Sequence, residues 1–334
     1  MRKLSSFLFI LAFSFSCAEN EPKAIQETSK TESPLPSWSE STSRENILSF
    51  ITKTTSEGSP DFIPEADRIA VFDNDGTLWS EQPYYFELDY ALYYIKKEAS
   101  NHPEWANNPN LKAVIANDLN AIIASGEKGL MEIVMTSHAG MTEDEFSSQV
   151  KDWLTNAKHP KTGKAYNQMI YQPMIELLDF LRANGYKTFI VSGGGIDFLR
   201  VWAEEAYGIP PYQVVGSSIK AKYEEVDGKK VVVKIPEINL IDDKAGKPVG
   251  IHQYIGKKPV IAVGNSDGDF EMLEYTTGFD GPRLGMLIHH TDSLREFAYD
   301  SVSHIGQLKR GLIEGPKYGW LIVDMAEDWK TIYP

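Results

Sequence analysis

An α/β fold built on a doubly wound parallel sheet is predicted by three features of this 334-residue chain. Short apolar, β-rich runs alternate with segments of helical periodicity, which is the pattern of strands joined by crossover helices. Three of those runs end on polar clusters, where α/β sheets bind ligands. The stretch from Leu78 to Tyr186 is far longer than one crossover needs, so an inserted subdomain is expected there.

The chain begins "MRKLSSFLFILAFSFSCAENE". Arg2 and Lys3, a short apolar run from Phe7 to Phe15 and small Ser16 predict a secretory signal over 1–16, too short to span a bilayer. Cys17 is the only cysteine, which excludes a disulfide within the chain. Its position resembles the lipidated cysteine of bacterial lipoproteins, implying an exported protein, periplasmic or held at the outer membrane by a lipid on Cys17. Residues 17–43 are rich in Glu, Ser, Thr and Pro and read as a flexible tether, so the folded domain is expected over 44–334. The whole chain's 47 acidic against 33 basic residues give a net charge of -14. That balance argues against nucleic acid or an anionic lipid surface as a partner.

Arg68–Asp73 reads as the first buried strand, bounded by Pro64 and Gly76. An inserted helical cap is expected over about 79–170, with helical patterns in "NLKAVIANDLNAIIA" and "EDEFSSQVKDWL". Met174, Leu177, Leu178 and Leu181 recur at helical spacing, and Asn184-Gly185 stops that helix. Lys187–Ser192 is a second strand, ending in three glycines. Asp197–Tyr207 reads as one helix, then Gln213–Val215, Pro259–Val263 and Leu284–Ile288 as strands. "SSIKAKYEEVDGKKVVVKIPE" reads as a β-hairpin turning on Asp227-Gly228.

Three strand ends bring polar groups to one edge of the sheet. Asp73 and Asp75 leave the first, Ser192 the second, and Asn265, Asp267 and Asp269 the fourth. Two carboxylates two residues apart face the same side of an extended chain, and they need either separated pKa values or a cation. Mg²⁺ suits them, because it binds hard oxygens and tolerates few protein ligands. An EF-hand loop starting at Asp73 fails, since Leu78 stands where glycine is needed and Tyr84 where glutamate is. Neither a Walker-type loop nor a zinc-ligand cluster nor a Gly-x-Ser-x-Gly elbow is present.

"FDNDGTLW", "IVSGGG", a lysine near "AGKPVG" and "VGNSDGDFEML" stand in the order and spacing of the haloacid dehalogenase-like superfamily. The chain most resembles its phosphoserine-phosphatase-like branch, which implies a Rossmannoid core with a helical cap after the first strand. The resemblance implies Asp73 as nucleophile and Asp75 as general acid and then base. Dehalogenase members lack this second aspartate. It further implies that Ser192 and the Gly193 amide bind phosphoryl oxygens, aided by the N-terminus of the next helix, and that a lysine neutralises Asp73 and the phosphoryl group. Lys220, Lys244 and Lys247 lie in the interval; Lys247 has the family's position, with Lys244 second. The expected metal set is Asp73, Asp75, Asn265 and Asp269.

Where the family has Gly-Asp, this chain has Gly264-Asn265, which leaves the expected metal site about one negative charge short. Asp267 is then either a solvated loop residue or a replacement ligand. His138 and His290 are candidate specificity residues, and Trp79 and Tyr84 lie near enough in sequence to the nucleophile to meet substrate. The implied function is an Mg²⁺-dependent phosphomonoesterase acting on small exported or environmental phosphate esters through an aspartyl-phosphate. The alternatives are phosphotransfer to an alcohol acceptor, and a catalytically impaired lipoprotein that binds a phosphate ligand.

Overall fold

The structure, a computed structural model, describes residues 34–334. The signal segment, Cys17 and most of the tether lie outside the described residues. The strands are β1 (Ile69–Phe72), β2 (Lys187–Gly195), β3 (Val214–Val226), β4 (Lys229–Leu240), β5 (Ile261–Gly264), β6 (Leu284–His289) and β7 (Leu321–Asp324). They form one sheet in the order β4-β3-β2-β1-β5-β6-β7, parallel throughout except for the β3–β4 pair. The chain order reverses on either side of β1, so the switch point that favours a ligand crevice lies at its carboxyl end. β1 and β5 read "IAVF" and "IAVG" and are buried along their whole length, as strands covered on both faces must be.

The helices are α1 (Thr42–Thr55), α2 (Phe86–Glu98), α3 (Pro109–Ile115), α4 (Leu119–Ala124), α5 (Gly126–His138), α6 (Glu143–Asn156), α7 (Gln172–Ala183), α8 (Ile196–Arg200), α9 (Ala203–Tyr207), α10 (Gly246–Gly250), α11 (Phe270–Thr277) and α12 (Arg310–Glu314). Helices α2 to α6 occupy the insertion between β1 and β2. Thr142 and Glu145 cap α6 reciprocally, accepting from each other's backbone amides. No helix among the described residues is long and apolar enough to cross a membrane.

An aromatic seam joins the insertion to the sheet. Trp79 stacks on Trp202 with ring centroids 4.2 Å apart, and Trp153 on Tyr166 at 4.5 Å. Such pairs contribute roughly 0.5–1.5 kcal/mol beyond their burial. Phe86 and Tyr90, from the aromatic run "PYYFELDYALYYI", are buried in the same seam.

Three expectations are corrected by packing, and one helical pattern is divided. The ordered body starts before Arg44: Leu35 and Trp38 are buried, and Trp38 Nε1 donates to the Pro173 carbonyl at 2.9 Å. The tether therefore stops short of residue 43. The single helix expected over Asp197–Tyr207 is two, α8 and α9, separated at Val201-Trp202, where the Trp202 ring turns in against Trp79. "NLKAVIANDLNAIIA" also breaks, at Asn117 with φ of 57°, and restarts where Asp118 caps Ala121. The short third strand and the first hairpin arm are one continuous strand, β3, which leaves β2 to pair with β4. Asp227 and Gly228 at the hairpin tip both have positive φ, as a tight two-residue turn requires. Strand β7 was not anticipated; four residues between Gly319-Trp320 and an acidic helix carry little periodic signal.

The hairpin does not stand free. The Gly140 amide donates to the Lys234 carbonyl at 2.9 Å and the Lys234 amide to that of Met141 at 3.1 Å, tying β4 to the end of α5. Cap and hairpin thereby share walls over the carboxyl end of the sheet.

Candidate active site

A cavity of about 430 Å³ opens there, within the size range of small-molecule sites. Asp73, Asp75, Gly193, Lys247 and Asp269 all line it. A larger cleft of about 650 Å³ lies along α5, beside Tyr94, Trp105 and Pro236, but none of these groups reaches it.

Asp73 sits one residue past β1, anchored by its amide donating to the Val263 carbonyl at 2.9 Å. The chain then turns sharply at Gly76, whose φ is 72°. A Cβ there would come within 2.0 Å of Asn265 Nδ2, so both conformation and space demand glycine. The turn returns Trp79 to its own loop, and Trp79 Nε1 donates to Asp75 Oδ1 at 2.7 Å. Trp79 is thus fully buried and holds the second aspartate. Tyr84 turns away to donate to Asp89; its neighbour Tyr85 lines the cavity instead.

Lys247, the preferred lysine, is 2% exposed and donates to Asp73 Oδ1 at 2.7 Å, Asp269 Oδ1 at 2.6 Å and the Val191 carbonyl at 2.9 Å. Neither Lys220, paired with Glu237, nor Lys244 lines the cavity. The other oxygen of Asp269 accepts from the amides of Asn265 and Ser266 at 3.0 Å each. With both oxygens engaged, Asp269 positions the lysine and the loop rather than offering a free ligand atom. Asp267 faces elsewhere, capping α12 through the amides of Arg310 and Gly311, which removes it as a replacement ligand.

Ser192 is buried within β2, three residues before its end, its Oγ accepting from the Gly194 amide at 3.1 Å. The next helix does not offer a free terminus, because the Gly195 amide already donates to Glu87 Oε2 at 2.7 Å. Glu87 Oε1 accepts from His138 Nε2 at 2.9 Å, so His138 lines the cavity hydrogen-bonded to a cap carboxyl. His290 is structural: it donates to the Gly76 carbonyl at 2.7 Å and stacks on Tyr299, bracing the β1 turn.

Asn265 is 1% exposed and does not face the cavity. Its Oδ1 accepts from Thr77 Oγ1 at 3.2 Å, and its Nδ2 donates to Glu81 Oε1 at 2.7 Å. Glu81 does line the cavity, and its Oε1 also accepts from Tyr299 at 2.7 Å. A carboxylate therefore stands against the residue expected to leave the site one charge short. Sequence reading missed Glu81; its one signal is a lone acid in an otherwise uncharged turn, "TLWSEQP".

Too many carboxylates share this space. Burial, then the charge of Asp269, pushes Asp73 well above the usual carboxylate range against the pull of Lys247. Burial raises Asp75 to about 7 despite the Trp79 hydrogen bond. Glu81 is likewise pushed well up by burial, against the hydrogen bond from Tyr299. Burial opposes the charge on Lys247, but Asp269 and Asp73 outweigh it and hold its pKa above the ordinary lysine value. One ammonium already divided between two carboxylates leaves an uncompensated negative site, whose oxygen donors fit a hard divalent cation. Among the described residues, no three carboxylate or histidine side chains converge closely enough to hold a metal alone. Backbone, amide or ligand oxygens would have to complete its shell.

The family model for haloacid dehalogenase-like hydrolases matches residues 70–274, which run from β1 through α11 and hold Asp73 to Asp269. The chain belongs to this family. Among solved structures, a conserved protein of unknown function from Anaerococcus prevotii is similar at a TM-score of 0.50 with 17% identity, over 74% of this chain and 85% of that one. A protein of unknown function from Bordetella pertussis aligns at 0.47 and 15%, over 78% and 99%. A phosphoserine phosphohydrolase-like protein from Francisella tularensis aligns at 0.40 and 15%, over 75% and 98%. At such identities the first of these likenesses speaks to the fold alone. No curated protein sequence matches the chain.

Proposed function

We propose that this haloacid dehalogenase-like hydrolase is a phosphomonoesterase that uses Mg²⁺ and passes its phosphoryl group through Asp73. The observation that carries the reading is Asp75: a second, half-buried carboxyl two residues past Asp73, its pKa raised to about 7 by desolvation. A group at that pKa can give a proton to an alkoxide leaving group and take one from water. Asp73 attacks phosphorus, the phosphorus–ester oxygen bond breaks, and Asp75 protonates the departing oxygen. Water then attacks phosphorus, Asp75 takes its proton, and the Asp73–phosphorus bond breaks to release phosphate. Lys247 balances charge on Asp73 and the phosphoryl oxygens, while Ser192 and Gly193 hold the group at the β2 end. Asp73 and the backbone carbonyl of Asp75 would hold Mg²⁺, which would supply charge neutralisation at the phosphoryl oxygens.

Asp75→Asn should reduce turnover of an alkyl phosphate far more than that of p-nitrophenyl phosphate, whose leaving group departs without a proton. In the wild type, kcat/KM for the alkyl ester should fall as pH rises through about 7, where Asp75 loses its proton. Equal losses on both substrates, or a flat profile, would remove the acid role.

Glu81 bears on the impaired-enzyme alternative. Its carboxyl accepts from Asn265 Nδ2 and lines the cavity, so an acid still stands beside the asparagine and argues against reading Asn265 as lost catalysis. Glu81→Gln is expected to weaken Mg²⁺ binding to the free protein by roughly tenfold or more, read by calorimetry, as losses of outer-shell partners do. Unchanged Mg²⁺ affinity would assign Glu81 a purely structural role.

The reading extends to location. We propose export and anchoring through a lipid on Cys17, since an acidic body offers no electrostatic hold on a membrane. Cys17→Ala should shift the protein from salt-washed membranes to the soluble fraction, and retention on the membrane would contradict this.

A further inference from the structure

The walls of the cavity away from the strand ends say what the leaving group can be, provided the phosphomonoesterase reading holds. Helix α5 contributes Leu130, Val134 and Met135, and the base of the hairpin contributes Ile219, Ile238 and Leu240. The polar groups between them are nearly all of one sign. Seven carboxylates line the cavity, those of Asp73, Asp75, Glu81, Glu87, Asp197, Asp243 and Asp269. Against them stand Lys247 and His138, with no arginine among the described lining residues. Lys247 is spent on Asp73 and Asp269, and His138 on Glu87. Lys234 pairs with Asp197 from behind and does not reach the cavity.

One divalent cation and one phosphate dianion cancel each other; with Asp75 protonated, Lys247 shared by Asp73 and Asp269, and Lys234 on Asp197, the excess of acids over cations facing a leaving group comes down mainly to Glu87 and Asp243. A carboxylate or a second phosphate on the substrate finds no cation to meet it, and it would lie against Glu87 and Asp243 in a partly dry space. An ammonium finds the opposite: carboxylates to pair with and aliphatic side chains to cover its carbon atoms. We propose that this site selects phosphomonoesters of amino alcohols, whose leaving group bears an ammonium on a short apolar body and no anionic group. Phosphoamino acids, sugar bisphosphates and nucleoside polyphosphates are disfavoured on the same ground.

Phosphoethanolamine and phosphoserine differ by one carboxylate and make the sharpest comparison. With Mg²⁺ present, kcat/KM should favour phosphoethanolamine by roughly tenfold or more. Asp243→Asn and Asp197→Asn should each narrow that ratio, whereas general damage to the fold would lower both substrates alike. A binding arm needs no turnover: calorimetry on the Asp73→Asn protein with Mg²⁺ should show the same preference in Kd. If p-nitrophenyl phosphate is not hydrolysed but the binding preference persists, the phosphatase reading fails and the ligand preference stands. If phosphoserine binds or turns over as well as phosphoethanolamine, or neither variant moves the ratio, the inference is overturned.

Discussion

Asp73→Asn is expected to lower kcat by at least roughly a thousandfold while leaving the fold intact. The amide has the volume of the carboxyl but no anionic oxygen to attack phosphorus. Stability should not fall by more than about 1 kcal/mol, for a reason specific to this site. Burial and Asp269 already hold Asp73 well above the ordinary pKa, so its charge does not support the folded state. A carboxyl that binds its proton more tightly when folded makes the protein lose stability as pH rises from the unfolded pKa toward the folded one. The variant lacks that loss, so its stability relative to wild type should improve across that interval. Lys247 keeps Asp269 and the Val191 carbonyl as partners. Urea titrations at several pH values read the stability, and mass spectrometry of the peptide excludes deamidation back to aspartate.

Lys247→Met should be the most damaging single change to the folded state. The methionine fills much of the same space but leaves Asp73 and Asp269 facing each other, buried and without a counter-charge. Breaking a buried pair in this way costs about 3–5 kcal/mol, a large fraction of the roughly 5–15 kcal/mol that a domain has. Because the penalty comes from stranded carboxylates, adding Asp73→Asn to Lys247→Met should recover part of it, a coupling that two independent sites would not show. A loss below about 1 kcal/mol, or strict additivity in the double variant, would mean that Lys247 is not the charge that holds this cluster together. Activity should be lost in either background.

What the sequence made legible follows from how local each signal was. Asp73, Ser192 and Asp269 sit at or just beyond the ends of short apolar strands, so the parallel sheet alone brings them to one edge. Lys247 was placed by family position, and its three buried contacts show why that position matters. Glu81 and Glu87 were missed because each resembles an ordinary surface acid, one in a turn and one in the first turn of α2. Their roles depend on partners far along the chain: Asn265 and Tyr299 for Glu81, the Gly195 amide for Glu87. The broken helix at Trp202 has the same origin, since a stack on Trp79 overrides helical periodicity. Likewise, the acid beside Asn265 could be found only once the fold set Glu81 against it.

The central claim is that phosphate passes through Asp73, and one measurement addresses it directly. Wild-type protein with Mg²⁺ would be mixed with a ³²P-labelled phosphomonoester, quenched in acid within the first turnover, digested and mapped. The account predicts a hydroxylamine-labile label on the peptide that carries Asp73, absent from the Asp73→Asn protein and chased off as free phosphate when quenching is delayed. Turnover without any protein-bound label, or a label on a peptide that lacks Asp73, would contradict it.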